Sequence, residues 1–209
     1  MDLTKKIYIN CFILNGGKST RMTRDKAKIT INGKSFVENV IEELAPIFKK
    51  CFLVGKEYHH PFIAGWLEDI IKGIGPIGGL YTALQNTDTL CNFVTAIDYP
   101  LVNRKLVYAL WQKVENLLNI HDAIIPVYDD GPHPLFGFYR KTCIKAIEKC
   151  IKNKNFSILS ISDYCNIAFS EIKKILPDRD KILLETSLMN INTPDDYKKL
   201  LKMLKNIEK

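Results

Sequence analysis

A glycine pair followed by closely spaced cations is the feature of this sequence that most directly suggests chemistry. An apolar segment that ends at Leu14 leads into Asn15, Gly16 and Gly17. Glycines let a phosphate approach the backbone, and consecutive N–H groups form a concavity that binds anions. Four cations follow within residues 18–26, and Lys18, Arg21 and Lys26 among them would supply the positive charge. Because a polyphosphate needs both the concavity and fixed positive charge, this segment predicts a nucleoside triphosphate site.

Two commoner phosphate-binding loops do not fit this segment. A P-loop needs a glycine five positions before Gly17, and Phe12 stands there. The dinucleotide-binding fingerprint also fails, because residues 15–20 lack its glycine spacing.

A second glycine cluster covers residues 75–80 and includes Gly78. The cluster fits a turn that starts a helix. It also fits a backbone platform against a flat base or a ribose, because glycine removes the side chain that would block a close approach. The two interpretations are compatible, since helix N-termini bind anions.

Two carboxylates are candidates for contact with a metal ion or a nucleotide. Asp98 directly follows the apolar segment 93–97, and Pro100 ends the turn after it. Mg²⁺ is usually held by one or two carboxylates plus phosphate oxygens, which a carboxylate at the end of a central strand can supply. The alternative for Asp98 is an Asx-type turn before proline. Asp69 is the second candidate, and its alternative is an ordinary surface carboxylate.

Polar residues in two later segments could contact a second substrate. His133 stands between two prolines and before a predicted strand that contains Gly137, and glycine in a strand often marks the close approach of a ligand. A loop histidine without a role is the alternative. Asn190 and Asn192 are predicted on one side of a short strand, where their amides could hydrogen-bond a polar heterocycle. The residues after them, 193–196, are explained by a capped helix start.

The elements that must position these residues alternate between strand and helix. Strands are predicted over 7–14, 51–54, 66–71, 93–97, 123–127 and 135–139, and helices over 36–48, 76–85, 106–118, 144–151 and 195–207. This alternation predicts a mostly parallel sheet with helices on both faces. The strand 135–139 follows a tight turn, so we expect it to pair antiparallel. We predict one three-layer α/β domain over residues 1–209.

Composition excludes several classes of protein. With 46% hydrophobic and 25% charged residues, the chain resembles an ordinary globular protein. It has no apolar run long enough to span a membrane and no signal-peptide pattern, so a cytoplasmic location is expected. The six cysteines form no C-x-x-C pair, which favours buried, reduced thiols over a zinc site or a disulfide scaffold.

The net charge of +7 has two interpretations. Part of the excess lies in a lysine-rich C-terminal helix, which fits a solvated helix face. The alternative is affinity for anionic ligands. Nucleic acid is the less favoured version, because the aromatic residues do not interleave with a basic stripe.

In this order the motifs resemble molybdenum cofactor guanylyltransferases of the MobA type. The resemblance covers nearly the whole chain, and it depends on residues 14–17, 21–26, 75–79, 98–100, 133–135 and 190–194. It implies the Rossmann-like sheet of the nucleotide-diphospho-sugar transferases. It also implies transfer of GMP from GTP to the terminal phosphate of molybdopterin, with release of diphosphate. Other cofactor-assembly proteins and recipient molybdoenzymes are the implied partners.

The resemblance also implies roles for individual residues. Asp98 would hold Mg²⁺ and nucleotide, and Arg21 and Lys26 would act with it in catalysis. Molybdopterin would be bound by His133, Asn190 and Asn192. The implied nucleotide contacts are Leu14, Asn15, Gly16, Gly17, Lys26, Gly55, Asp69, Gly78 and Asp98. Gly55 stands where the family often has asparagine, and Asn15 stands where it usually has alanine.

Phosphoryl chemistry of this kind needs alignment and charge neutralisation more than a strong base. A phosphate nucleophile is already ionised at neutral pH, which agrees with the lack of an evident Ser/His/Asp or Cys/His set. Three alternatives stay open: a CTP-using transferase acting on molybdopterin or on a sugar or polyol phosphate, a non-catalytic nucleotide-binding protein, and a nucleic-acid-binding module.

Overall fold

A computed structural model describes residues 6–16, 30–31, 33–173 and 175–207. The predicted site residues Gly17, Arg21 and Lys26 lie outside these residues, as does Lys18. The predicted roles of these four residues therefore stay predictions.

A twisted central sheet is built from strands that run mostly parallel. The strands are β1 (Ile7–Asn15), β2 (Thr30–Ile31), β3 (Lys34–Ser35), β4 (Phe48–Gly55), β5 (Gly65–Leu67), β6 (Cys91–Ala96), β7 (Ala123–Tyr128), β8 (Gly131–Pro132), β9 (Phe136–Arg140) and β10 (Ile167–Glu171). Their order in the main sheet is β10-β7-β9-β6-β1-β4-β5, with β8 paired to β7, while β2 and β3 form a separate ribbon. Strand β1 pairs parallel with both β4 and β6.

Strand β9 runs antiparallel to both of its neighbours, β6 and β7. It is reached through the turn that joins β7 to the short strand β8. The prediction that the strand after this turn pairs antiparallel is confirmed.

Helices cover both faces of the sheet, so the predicted three-layer α/β fold is confirmed. The helices are α1 (Phe36–Leu44), α2 (Pro76–Gln85), α3 (Arg104–Val114), α4 (Cys143–Lys152), α5 (Lys181–Ser187) and α6 (Pro194–Ile207). One core packs α1 and α3 against Cys11 and Ile13 of β1, and the other packs α2 and α4 against Phe12 and Leu14. Because successive side chains of a strand point to opposite faces, β1 is buried on both sides.

Several predicted bounds change for identifiable reasons. The helix predicted over 36–48 ends at Leu44, a 3-10 turn with Pro46 follows, and β4 already begins at Phe48. The strand predicted over 66–71 ends at Leu67. The strand predicted at Asn190 and Asn192 is wrong, because this segment is irregular and has no partner strand among the described residues.

Candidate active site

A cavity of about 440 Å³ opens where β1, β4 and β6 end and α2 begins. Its walls are Leu14, Gly16, Val54, Asp69, Ile71, Gly73, Gly75, Pro76, Gly79, Ala96, Asp98 and Leu135. Leu14 lies level with Val54 on one neighbouring strand and with Ala96 on the other. Ligands of open α/β sheets bind at this carboxyl edge, so the cavity is the candidate site.

The loop after β1 is held tightly against the end of β4. Gly55 has φ +109°, and a Cβ on it would lie 2.9 Å from the backbone nitrogen of Gly16, so glycine is required there. The backbone N–H of Lys56 donates to the carbonyl of Asn15 at 3.1 Å, and the Asn15 amide donates to the carbonyl of Lys56 at 3.1 Å. The indole N–H of Trp66 donates to the Gly55 carbonyl at 2.8 Å. Asn15 and Gly55 thus shape the wall on which Gly16 is exposed.

Asp69 brings a partly buried carboxylate to the same wall. Its Oδ2 lies 3.5 Å from the point where a Cβ on Gly16 would sit. Its Oδ1 is buried and has no hydrogen-bond partner among the described residues. Burial raises the pKa of Asp69 above its ordinary value. The carboxylate is therefore available to a ligand group that donates a hydrogen bond or carries positive charge.

The segment that carries Asp69 is attached to α2. The backbone N–H of Ile70 donates to the hydroxyl of Thr82 at 3.0 Å, and Thr82 is fully buried. A Cβ on Gly78 would lie 2.7 Å from the carbonyl oxygen of Ile71, so Gly78 permits this close packing behind the cavity wall. Among the described residues it is Gly79, packed on Leu14, that faces the cavity, and the predicted nucleotide contact of Gly78 stays a prediction.

The N-terminus of α2 opens into the cavity. Gly75 precedes the helix with φ +76°, and Pro76 occupies its first turn, where its missing N–H costs nothing. The unpaired N–H groups and the dipole of a helix N-terminus favour a phosphate or another acceptor group. The predicted helix start at this glycine cluster is confirmed.

Asp98 lies on the turn that follows β6 and lines the cavity. The N–H of Ile97 donates to the carbonyl of Leu14 at 3.1 Å, and the N–H of Tyr99 donates to the carbonyl of Ala96 at 3.2 Å. These bonds tie the turn to β1 and β6. The structure therefore brings Asp69 and Asp98, from two separate elements, to one cavity.

The segments predicted to contact a second substrate meet beside the Asp98 turn. The N–H of Ile191 donates to the carbonyl of Asp98 at 2.8 Å, and the Asn192 amide donates to Oδ1 of Asn190 at 2.8 Å. The His133 side chain is buried, with Nδ1 3.3 Å from the Tyr99 hydroxyl and Nε2 2.9 Å from Oδ1 of Asp130. Both ring nitrogens of His133 thus have protein partners.

Three residues that shape the site were assigned no role from the sequence: Trp66, Thr82 and Tyr99. Thr82 follows Gly78 by one helical turn, a spacing that places its hydroxyl over the Gly78 carbonyl. Tyr99 stands inside the Asp98–Pro100 turn. The local sequence does not identify the distant partners of these residues. Thr82 meets Ile70, and Tyr99 meets His133, only in the folded chain.

A family model of the MobA-like NTP transferase domain matches residues 11–163. The chain belongs to the MobA-like NTP transferase family. The family is one of nucleotidyltransferases, and every residue named above as lining the cavity, from Leu14 to Leu135, falls within the matched range. The resemblance inferred from the motifs is therefore confirmed.

Relatives of the family match along most of the chain. A "probable molybdenum cofactor guanylyltransferase" of Carboxydothermus hydrogenoformans is 30% identical over 192 residues, which cover 91% of this chain and 94% of the relative. A molybdenum cofactor guanylyltransferase of Campylobacter jejuni is 28% identical over 202 residues, or 94% and 97% of the two chains. The crystal structure of the molybdopterin-guanine dinucleotide biosynthesis protein A of Archaeoglobus fulgidus superposes with a TM-score of 0.78 at 27% identity, covering 95% of this chain and all of the other.

No helix in the described parts of the chain combines the length and the hydropathy that a membrane span requires.

Proposed function

We propose that this protein transfers GMP from GTP to the terminal phosphate of molybdopterin and releases diphosphate. The product would be the molybdopterin guanine dinucleotide form of the cofactor. The observation that carries the proposal is the convergence of Asp69, Asp98, Gly16 and the N-terminus of α2 on one cavity. The names of the relatives support GTP and molybdopterin as the two substrates.

The cavity suits a nucleotide because its walls are glycine-rich on two sides. Gly16 lies on the loop after β1, and Gly75 and Gly79 lie at the start of α2. Backbone N–H groups on both sides can therefore approach a base, a ribose or a phosphate without side chains between them. Asp69 lines the same space, and its Oδ1 has no partner among the residues that the structure describes, which suits a donor group of the base or ribose.

The donor set of the cavity fits a Mg²⁺ ion. The described residues contain no cluster of three or more carboxylate, histidine or cysteine side chains suited to a metal, but Mg²⁺ bound with a nucleotide needs only one or two carboxylates. Asp98 would hold the ion, and Asp69 lines the same cavity. When bound, Mg²⁺ supplies positive charge that offsets the repulsion between the two phosphate reactants.

Other groups of the chain are proposed to align the two substrates and to stabilise their negative charge. The helix dipole of α2 favours negative charge at the cavity mouth. Arg21 and Lys26 are proposed to stabilise the departing diphosphate, as the sequence predicts.

The acceptor side of the site is proposed at Asn190, Asn192 and the His133 segment. These residues flank the Asp98 turn, and Leu135, two residues after His133, lines the cavity. Molybdopterin held there would present its phosphate next to the nucleotide. Cofactor-assembly proteins and recipient molybdoenzymes stay predicted partners.

The experiment that tests this function is diphosphate release from GTP, CTP and ATP in the presence of Mg²⁺. Each nucleotide is assayed with and without molybdopterin, and with its molybdenum-loaded form. Release from GTP that depends on the pterin is the expected result. A preference for CTP would assign the protein to the cytidylyltransferases, with the same fold. Binding of GTP without any release of diphosphate would favour the non-catalytic alternative.

A further inference from the structure

Tyr99, the residue directly after Asp98, buries its side chain between the two segments assigned to the acceptor. The residue is 2% exposed, and its ring packs edge-on against Phe136 and His133. The hydroxyl lies 3.3 Å from Nδ1 of His133, and the Asn190 side chain lies close enough to interact with it. A tyrosine hydroxyl, whose ordinary pKa is about 10, is protonated at neutral pH. A protonated hydroxyl can donate to one of these partners and accept from the other.

The segment of Asn190 holds the Asp98 turn at a second point. The N–H of Ile191 donates to the carbonyl of Asp98 at 2.8 Å, while Oδ1 of Asn190 accepts from the Asn192 amide. The first bond joins the segment to the backbone of Asp98, and the second joins two residues within the segment. A shift of residues 190–192 therefore moves the Asp98 turn.

The His133 side of this arrangement is also fixed. Nε2 of His133 pairs with Oδ1 of Asp130 at 2.9 Å, and its backbone N–H donates to the carbonyl of Pro126 at 2.8 Å. The ring of His133, which is fixed to β7 and to the turn after it, contacts the Tyr99 hydroxyl on one side. Asn190, in the segment before α6, is its neighbour on the other side. We call Tyr99, His133 and Asn190 the Tyr99 junction.

We propose that the Tyr99 hydroxyl is a positioning group that couples occupancy of the acceptor side to the placement of Asp98. The inference rests on the proposed function, because it takes Asn190 and the His133 segment as the acceptor side. Tyr99 itself lines no part of the cavity in the described structure and acts through Asp98. Coupling between two ligands through such a junction is reciprocal and measurable as a change in affinity.

The test measures binding of an α,β-methylene analogue of GTP with Mg²⁺, with and without molybdopterin. The carbon bridge prevents diphosphate release, so the measurement reports binding alone. For the wild-type protein we expect saturating molybdopterin to tighten analogue binding by about fivefold or more. Tyr99→Phe keeps the ring and removes the hydroxyl, and it is expected to bind the analogue normally without pterin and to lose the tightening. Tyr81→Phe is the matched control, because that hydroxyl contacts Glu148 outside the cavity.

Two substitutions of His133 give an independent test. The amide nitrogen of asparagine lies as many bonds from Cβ as Nδ1 does, and that of glutamine matches Nε2. His133→Asn can therefore keep the partner of Tyr99, and His133→Gln can keep only the partner of Asp130. We expect the coupling to survive in the first variant and to be lost in the second.

Retention of the full tightening in Tyr99→Phe, or equal loss in both His133 variants, would overturn the proposal. So would a wild-type protein that turns over GTP and molybdopterin but shows no tightening. Failure of the proposed function is a separate result, because it is seen as absent pterin-dependent diphosphate release in the wild type. Thermal unfolding of each variant identifies a loss that comes from misfolding.

Discussion

The hydroxyl of Thr82 accepts a hydrogen bond from the backbone N–H of Ile70 at 3.0 Å and donates one to the carbonyl of Gly78 at 2.9 Å. This buried side chain connects the segment of Asp69 to the helix whose N-terminus opens into the cavity. The carboxylate and the glycine-rich helix start therefore keep a fixed relation to each other.

Replacing Thr82 with valine should raise the KM for the nucleotide by several-fold and leave the KM for the acceptor unchanged. Valine matches the shape of threonine but leaves the N–H of Ile70 without its partner, which costs about 1–3 kcal/mol. Steady-state kinetics with each substrate varied in turn measures the effect. Thr82→Ser, which keeps the hydroxyl, is the control, and equal defects in both variants would contradict the role of the hydrogen bond.

Replacing Gly55 with alanine should destabilise the protein by about 1–3 kcal/mol. The backbone at Gly55 has φ +109°, and the added Cβ would meet the backbone of Gly16 at 2.9 Å. Chemical denaturation gives the free energy of unfolding. Gly65→Ala is the matched control, because its Cβ would meet only Phe52 at 3.9 Å and its φ is not in the positive range. A Gly55→Ala protein as stable as the Gly65→Ala protein would refute the close-approach argument.

Asp98→Asn should lower kcat by about 10²–10³, the loss expected when one electrostatic stabiliser is removed. The amide keeps the size of the side chain but removes the charge that would hold Mg²⁺. A Mg²⁺ titration of diphosphate release checks this, with the exposed Asp163→Asn as the control for an unspecific change of charge. An unaltered Mg²⁺ dependence in Asp98→Asn would remove Asp98 from the metal site.

Asp69→Asn should stabilise the free protein at pH 7, and the gain should shrink as the pH falls. Burial raises the pKa of Asp69 in the folded state above that in the unfolded chain, so the folded state binds the proton more tightly. The wild type therefore loses stability as the pH rises through the carboxyl range, whereas asparagine does not titrate. Denaturation of both proteins between pH 3 and pH 7 (about the carboxyl range and above) measures the difference. A gain that does not change with pH would rule out desolvation as the cause.

The same Asp69→Asn protein should bind the nucleotide more weakly. The Oδ1 atom of Asp69 has no partner among the described residues, and our proposal places a donor group of the nucleotide there. Calorimetry with GTP and Mg²⁺ gives the affinity. Affinity equal to that of the wild type would mean that Asp69 does not touch the nucleotide.

Local patterns were sufficient to predict most of the elements near the cavity. The helix predicted over 76–85 has the observed bounds, because Gly75 and Pro76 mark its start in the sequence itself. Strand β1 was predicted to within one residue, because it is apolar on both faces. Its last residue, Asn15, and the following Gly16 accordingly lie at the carboxyl edge of the sheet.

What the sequence did not reveal depends on contacts between distant segments. Strand β10 and helix α5 were missed, because each is short and mixes polar with apolar residues. The segment with Asn190 and Asn192 is irregular and pairs with no strand among the described residues, although the N–H of Ile191 bonds the carbonyl of Asp98. The roles of Thr82 and Tyr99 likewise follow only from partners that are far apart in the chain.

The contact of Ile191 with Asp98 also has a consequence for the order of events during synthesis. Ribosomes add about 5–20 residues per second, and folding generally proceeds from the N-terminal side. A nascent chain that has emerged only to residue 189 contains every described strand of the sheet, but the Asp98 carbonyl and the Tyr99 hydroxyl still lack their partners from residues 190–191. Ile191 and Leu200 are also missing from the small core that they share with Ile31 and Phe36. The strands can therefore pair before residues 190–191 have emerged, and the Asp98 turn gains its contact with Ile191 only after the sheet.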